Sequence, residues 1–97
     1  MTTGRRRYLA AYDIADPKRL RRVHLTVRSY GYPLQYSLFV CDLERSEVAQ
    51  LRWDLAEVIN SREDRVALID LGDAPSSARF EFLGVRPELP TGGARIV

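Results

Sequence analysis

The amino-acid sequence predicts a single α+β domain: an antiparallel four-stranded sheet with two helices on one face. Three observations lead there. A chain of 97 residues can bury one small core. Short apolar runs of strand length alternate with two longer stretches whose apolar residues recur every three or four positions. The resulting order, strand, helix, strand, helix, strand, strand, packs most simply with both helices on the same side of one sheet.

Residues 1–5 read as a frayed start. Residues 6–14 read as the first strand: Tyr8 to Tyr12 and Ile14 form a nearly continuous apolar run, interrupted only by Asp13. Asp16-Pro17 is a helix start, because an aspartate caps the first free amides and a proline at the first helical position loses no hydrogen bond. Leu20, Val23, Val27 and Tyr30 follow at helical spacing, with Lys18, Arg19, Arg21, Arg22 and Arg28 largely off that stripe; Gly31 supplies the stop. Residues 34–41 read as the second strand, with apolar residues on both faces and Gln35 and Ser37 beside Phe39. Ser46 to Asn60 reads as the second helix, burying Val48, Leu51, Leu55, Val58 and Ile59. Trp53 lies off that stripe and is expected to flank the core; the sharper alternative is a partner contact.

Residues 65–71 read as the third strand, ended by Gly72 and Asp73, and Ala78 to Leu83 as a shorter fourth strand with Phe80 and Phe82 on one face. Residues 84–97 form an extension poor in helix or strand signals until the apolar Ile96 and Val97. The whole corresponds to a ferredoxin-like plait. Helices on one face leave the other to be covered, most simply by a second copy of the chain, and the C-terminal tail is suited to add a short strand to that partner's sheet.

Charge is unevenly spread. Residues 1–31 hold eight basic side chains against two acidic ones, whereas residues 32–97 hold seven against eleven. That asymmetry suggests one face for a polyanion. Fourteen of the fifteen basic residues are arginine, which suits bidentate phosphate contacts. No apolar run approaches the roughly 20 residues of a membrane span. The apolar stretch after Arg5, Arg6 and Arg7 is too short for a signal-peptide core, so a cytoplasmic location is expected. A lone Cys41 excludes an internal disulfide and a cysteine-based zinc site, and reads as a small apolar strand residue.

Chemistry has few candidates. The one histidine, His24, lies beside the buried stripe of the first helix and reads as structural, so dyad or triad catalysis lacks a base. The scattered glycines form no phosphate loop. Asp13 ends a buried strand before a basic helix, where a carboxylate is costly without a compensating metal, arginine or amide. It is either a structural cap or arginine partner, or a metal ligand. One aspartate makes a poor site for Mg²⁺; two brought together across a dimer axis would share one ion.

Tyr12-Asp13-Ile14-Ala15-Asp16, then Arg19, Arg22-Val23, Tyr30-Gly31 and Gln35-Tyr36-Ser37-Leu38-Phe39 resemble the CRISPR-associated protein 2 family. The resemblance is dense from residue 8 to about 42. It implies a ferredoxin-like homodimer that resembles a metal-dependent endonuclease acting on single-stranded RNA or double-stranded DNA. It also implies a partner of the CRISPR integrase that holds foreign DNA for spacer acquisition. Mg²⁺ or another divalent metal is then expected at Asp13, the catalytic residue. Arg19, Arg22 and Arg28 are expected on nucleic acid, and Tyr12, Ser37 and Phe39 in support. The alternatives are a purely structural adaptor or a toxin-like ribonuclease of the same fold. A base-stacking RNA-binding module is disfavoured, because the aromatic-glycine signature of such strands is missing.

Overall fold

The computed structural model describes residues 4–74 and 80–88. Its elements are β1 (Arg6–Asp13), α1 (Pro17–Arg28), β2 (Tyr32–Gln35), β3 (Leu38–Leu43), α2 (Arg45–Val58) and β4 (Arg65–Asp73). The sheet order is β2-β3-β1-β4, and every neighbouring pair is antiparallel. This is the ferredoxin-like plait, with β1 in the interior of the sheet.

The α1 start forms as the sequence dictates. Asp16 is the N-cap, its side chain accepts from the Arg19 amide at 2.9 Å, and Pro17 follows in the first turn. The α2 start is fastened by Glu47, whose carboxylate accepts from the Glu44 amide at 2.8 Å. The core lies between helices and sheet. Ala10 and Tyr12 of β1 and Phe39, Cys41 and Leu43 of β3 meet Val23 and Val27 of α1 and Val48, Leu51 and Leu55 of α2. Burial among these apolar neighbours pushes the Cys41 thiol up to about 12, with Asp42 adding to the shift, so it is an inert packing group.

The other sheet face follows from strand alternation and register. Arg7 pairs with Asp42, Leu9 with Val40 and Ile69, Ala11 with Leu38 and Ala67, and Asp13 with Arg65. Arg7 is fully buried there and donates Nε and Nη2 to the two Asp42 oxygens at 2.7 and 2.8 Å. Ile69 remains 44% exposed on the same face.

Four expectations change. The predicted strand over residues 34–41 is a hairpin, β2 and β3 joined by a turn at Tyr36 and Ser37. The element order is therefore strand, helix, strand, strand, helix, strand. The predicted fourth strand at Ala78–Leu83 is not a strand over its described part, Phe80 to Leu83: the Phe80 and Phe82 rings pack on each other at 6.2 Å while Leu83 stands 93% exposed. The split hairpin supplies the missing strand instead. Trp53 does not flank the core but is 65% exposed, because its position on α2 faces away from Leu51 and Leu55. Gly31 is not a left-handed helix stop, since α1 already ends at Arg28 and Gly31 has no positive φ. Its small size serves a close approach: a Cβ there would meet the Val40 carbonyl oxygen and sit 2.5 Å from Cys41 Sγ. Residues 1–3, Ala78, Arg79 and the tail strand at residues 94–97 lie outside the described residues.

Candidate nucleic-acid and metal site at the end of the first strand

Asp13 is the last residue of β1 and is exposed. The cost of burying its charge, on which the sequence argument leaned, does not arise. Nor is Asp13 a cap: that role belongs to Asp16. Among the described residues the Asp13 side chain makes no hydrogen bond or ion pair, although Arg65 lies directly across from it on β4. Directly paired residues on a sheet stand about 4.5–5.5 Å apart, so a carboxylate and a guanidinium share this strand end.

The loop from Asp13 to α1 is pinned from the far side by Asp64. This carboxylate is fully buried and accepts from Ala15 N at 3.0 Å, Asn60 N at 2.8 Å, and Arg19 Nε at 2.8 Å and Nη2 at 3.2 Å. Arg19 also donates to Glu63 at 3.1 Å. The Arg19 guanidinium, first, and the two backbone amides hold the Asp64 carboxyl far below the usual carboxylate range. Arg19, expected on nucleic acid, is thus engaged in fastening the start of α1 to the loop before β4. Sequence reasoning missed Asp64; an aspartate four residues after an asparagine at a helix end was the only local sign.

On the helix side of β1, Tyr12 is buried and ties the hairpin turn to the strand end. Its amide donates to Ser37 O at 3.1 Å, and its hydroxyl donates to Tyr36 O at 2.5 Å. His24 Nδ1 lies 2.9 Å from that hydroxyl and 3.0 Å from that carbonyl oxygen, an arrangement satisfied with Nδ1 protonated. Burial, with Tyr36 adding to it, pushes the Tyr12 hydroxyl up to about 12, so it remains a donor at neutral pH. The Phe39 ring meets His24 edge-on at 5.4 Å and lies 6.4 Å from Tyr12. Tyr12, Ser37 and Phe39 are therefore brought together at the same strand end as Asp13, with His24 and Tyr36 as members the sequence did not single out.

The basic residues divide. Arg5 bridges Glu47 at 3.1 Å, Arg6 bridges Asp70 and Asp73 at 2.9 Å each, and Arg7 is held by Asp42. The N-terminal arginine run thus staples β1 to its neighbours. Lys18, Arg21, Arg22 and Arg28 are exposed on α1, and none of their charged groups has an acidic partner among the described residues. Arg28 ends the helix, eleven positions beyond Pro17 or roughly 16 Å along its axis, so it is not part of the Asp13 cluster. It lines a hollow with Gly31, Tyr32, Pro33, Pro87 and Glu88.

The described residues hold no group of three His, Cys, Asp or Glu side chains able to bind a metal. Asp13 nonetheless fits the oxygen chemistry of Mg²⁺, which usually takes one or two carboxylates and completes its shell with water and phosphate oxygens.

Fold and site together define a small ferredoxin-like α+β protein whose first interior strand ends in a free carboxylate, next to a helix with an exposed basic surface. The comparisons with known proteins agree and are more specific. The family model described as CRISPR associated protein Cas2 matches residues 6–78, and the chain belongs to that family. It is 35% identical over 85 residues to a CRISPR-associated endoribonuclease Cas2 of Thermodesulfovibrio yellowstonii, covering 88% of this chain and 90% of the relative. It is 42% identical over 67 residues to one of Rhodospirillum rubrum, covering 69% and 66%. Among solved structures, a hypothetical protein from Thermus thermophilus superposes with a TM-score of 0.75 at 30% identity, over 88% of this chain and all of that one. Streptococcus pyogenes Cas2 gives 0.60 at 28% identity, over 64% of this chain and 81% of that one.

Proposed function

We propose that this chain serves CRISPR adaptation as a homodimer, holding foreign DNA with the integrase for spacer acquisition, and that it is also a Mg²⁺-dependent endonuclease acting at Asp13. The observation that carries the nuclease reading is Asp13 itself: an exposed carboxylate with no partner among the described residues, ending an interior strand. Such a carboxylate is available to a ligand. The endoribonuclease names of the relatives support the same reading. Mg²⁺ bound there would polarise a phosphodiester and lower the pKa of an attacking water.

The chain's own residues have separable roles in this reading. Asp13 holds the metal, with the second carboxylate supplied by the other copy. Arg65, across from it, offers its fork to a non-bridging phosphate oxygen. Asp64, through Ala15 N and Arg19, fixes the loop that follows Asp13. Tyr12 fixes the turn beside it. Lys18, Arg21 and Arg22 extend the cationic surface along α1. Leu9, Ala11, Leu38, Ala67 and Ile69 supply an apolar sheet face for a second copy.

An adaptor role without cleavage is favoured by one observation: His24, the only imidazole, is committed through Nδ1 to the Tyr12 and Tyr36 oxygens and not to Asp13. One experiment separates the readings. Cleavage of single-stranded RNA and duplex DNA is followed during a Mg²⁺ titration, for the wild-type chain and Asp13→Ala. The nuclease reading expects metal-dependent cleavage that falls to background in the variant; cleavage that survives the substitution overturns it. Spacer acquisition that persists in Asp13→Ala assigns the adaptor role independently of cutting.

A further inference from the structure

The Tyr36 ring is an unusual group to leave in solvent. It sits in the two-residue turn between β2 and β3 and is 55% exposed. The core beneath it is already filled by Tyr12 and Phe39. One face of the ring lies flat on the His24 imidazole, with centroids 4.0 Å apart and planes 3° from parallel. The turn backbone under the ring is held by Tyr12 N on Ser37 O and by the Tyr12 hydroxyl and His24 Nδ1 on Tyr36 O. An exposed aromatic ring, backed on one face and anchored through its own carbonyl, has little rotational freedom left to lose when something binds its outer face.

We propose that Tyr36, backed by His24, is a stacking platform for an unpaired nucleobase at the Asp13 end of the sheet. The inference rests on the reading of this end as a nucleic-acid site and deepens it by naming the residue that would take an unpaired base. A flat ring accepts any base without reading its edge, so the platform is tolerant of sequence. A base inside a duplex has both faces occupied by its neighbours, so the platform selects single strands, loops and frayed ends. Asp13 is the residue after Tyr12, whose amide and hydroxyl both grip this turn, which places the platform and the carboxylate at one strand end, with the platform on the helix side and Asp13 alternating to the other sheet face.

The test is equilibrium binding without divalent metal, so that nothing is cut. The probes are a short single-stranded RNA carrying one fluorescent purine and a duplex DNA of related sequence. Tyr36→Leu should weaken single-strand binding by about 5- to 150-fold and leave duplex binding unchanged. Tyr36→Phe, which keeps the ring, should bind as the wild type does. In the wild-type chain the purine should be quenched on binding, a readout that does not depend on how any variant folds. Unchanged single-strand affinity in a folded Tyr36→Leu, an equal loss on duplex, or no quenching overturns the proposal. If the wild type binds neither probe, the nucleic-acid reading of the whole site falls with it. If it binds both and only the Tyr36 effects fail, the site reading stands and the platform alone is wrong.

Discussion

Gly31→Ala adds one methyl group at the closest approach in the fold. Gly31 precedes β2 and lies against β3, where the new Cβ would overlap the Val40 carbonyl oxygen and stand 2.5 Å from Cys41 Sγ. Comfortable carbon contacts are about 3.5–4.0 Å, so the gap must open by roughly 1 Å. The Cys41 side chain could yield, but the carbonyl belongs to β3, clamped between β2 and β1. Overpacking of this kind costs about 1–3 kcal/mol. Against it stands the reduced freedom of the unfolded chain, a gain of about 0.4–1 kcal/mol. The steric cost wins, leaving a net loss of about 1–2 kcal/mol. For a domain of this size that lowers Tm by roughly 4–16 °C. Urea unfolding and calorimetry measure it directly. In a Cys41→Ala background the added cost of Gly31→Ala should shrink but not vanish, because the Val40 carbonyl remains. A Gly31→Ala protein as stable as the wild type would refute the close-approach argument.

Other outcomes follow from the charged and aromatic groups. Arg22→Ala with Arg28→Ala should weaken duplex binding at every sequence alike and make the slope of log K against log salt shallower by about 2; a sequence-dependent loss would exclude a phosphate role. Arg19→Ala should instead lower Tm, since its partners are Asp64 and Glu63. Asp64→Asn should lower Tm by several degrees at neutral pH. The folded carboxyl is depressed below the ordinary aspartate value of 3.8, so the unfolded chain takes up the proton first; its stabilisation is complete above that value and is lost as pH falls below it. The gap between wild type and Asp64→Asn should therefore narrow below about pH 4; a constant gap would be inconsistent with the ion pair. Two of the five tyrosines, Tyr12 and Tyr30, should ionise only near 12, Tyr30 mainly through burial and then its bond to Asp54. Phenolate absorbance of the folded chain should show this late ionisation, and Tyr12→Phe and Tyr30→Phe should each remove part of it.

What was legible in the sequence was whatever has a local signature. Asp16-Pro17 announces a helix start through its own chemistry, and the stripe from Leu20 to Val27 announces the buried face of α1. The hairpin was missed because its turn carries only a weak local mark. Tyr36 is not a turn-forming type, Ser37 alone is a weak turn signal, and among the described residues none but glycine takes a positive φ. Two-residue hairpins normally need such conformations to match strand twist. Here the register slips between Pro33 and Gln35, and that bulge absorbs the mismatch. Asp13 was legible as an anomaly, but its exposure was not, because whether a strand end is covered depends on the loops around it. Asp64 and Arg65 escaped notice because their significance comes from pairing with residues about fifty positions earlier, a relation created only by the antiparallel register of β1 and β4.

The two rims of the sheet are unequal. One is β2, four residues long, carrying Pro33, which has no amide hydrogen to offer, and the register slip. The other is β4, nine residues with no proline. A strand arriving from outside would find a short, broken row of donors and acceptors on the first rim, whereas the second keeps a regular register with β1 from Arg65 to Asp70 and slips only between Asp70 and Asp73. Growth of the sheet is thereby discouraged at the β2 flank, where an incoming strand would lack a full set of partners.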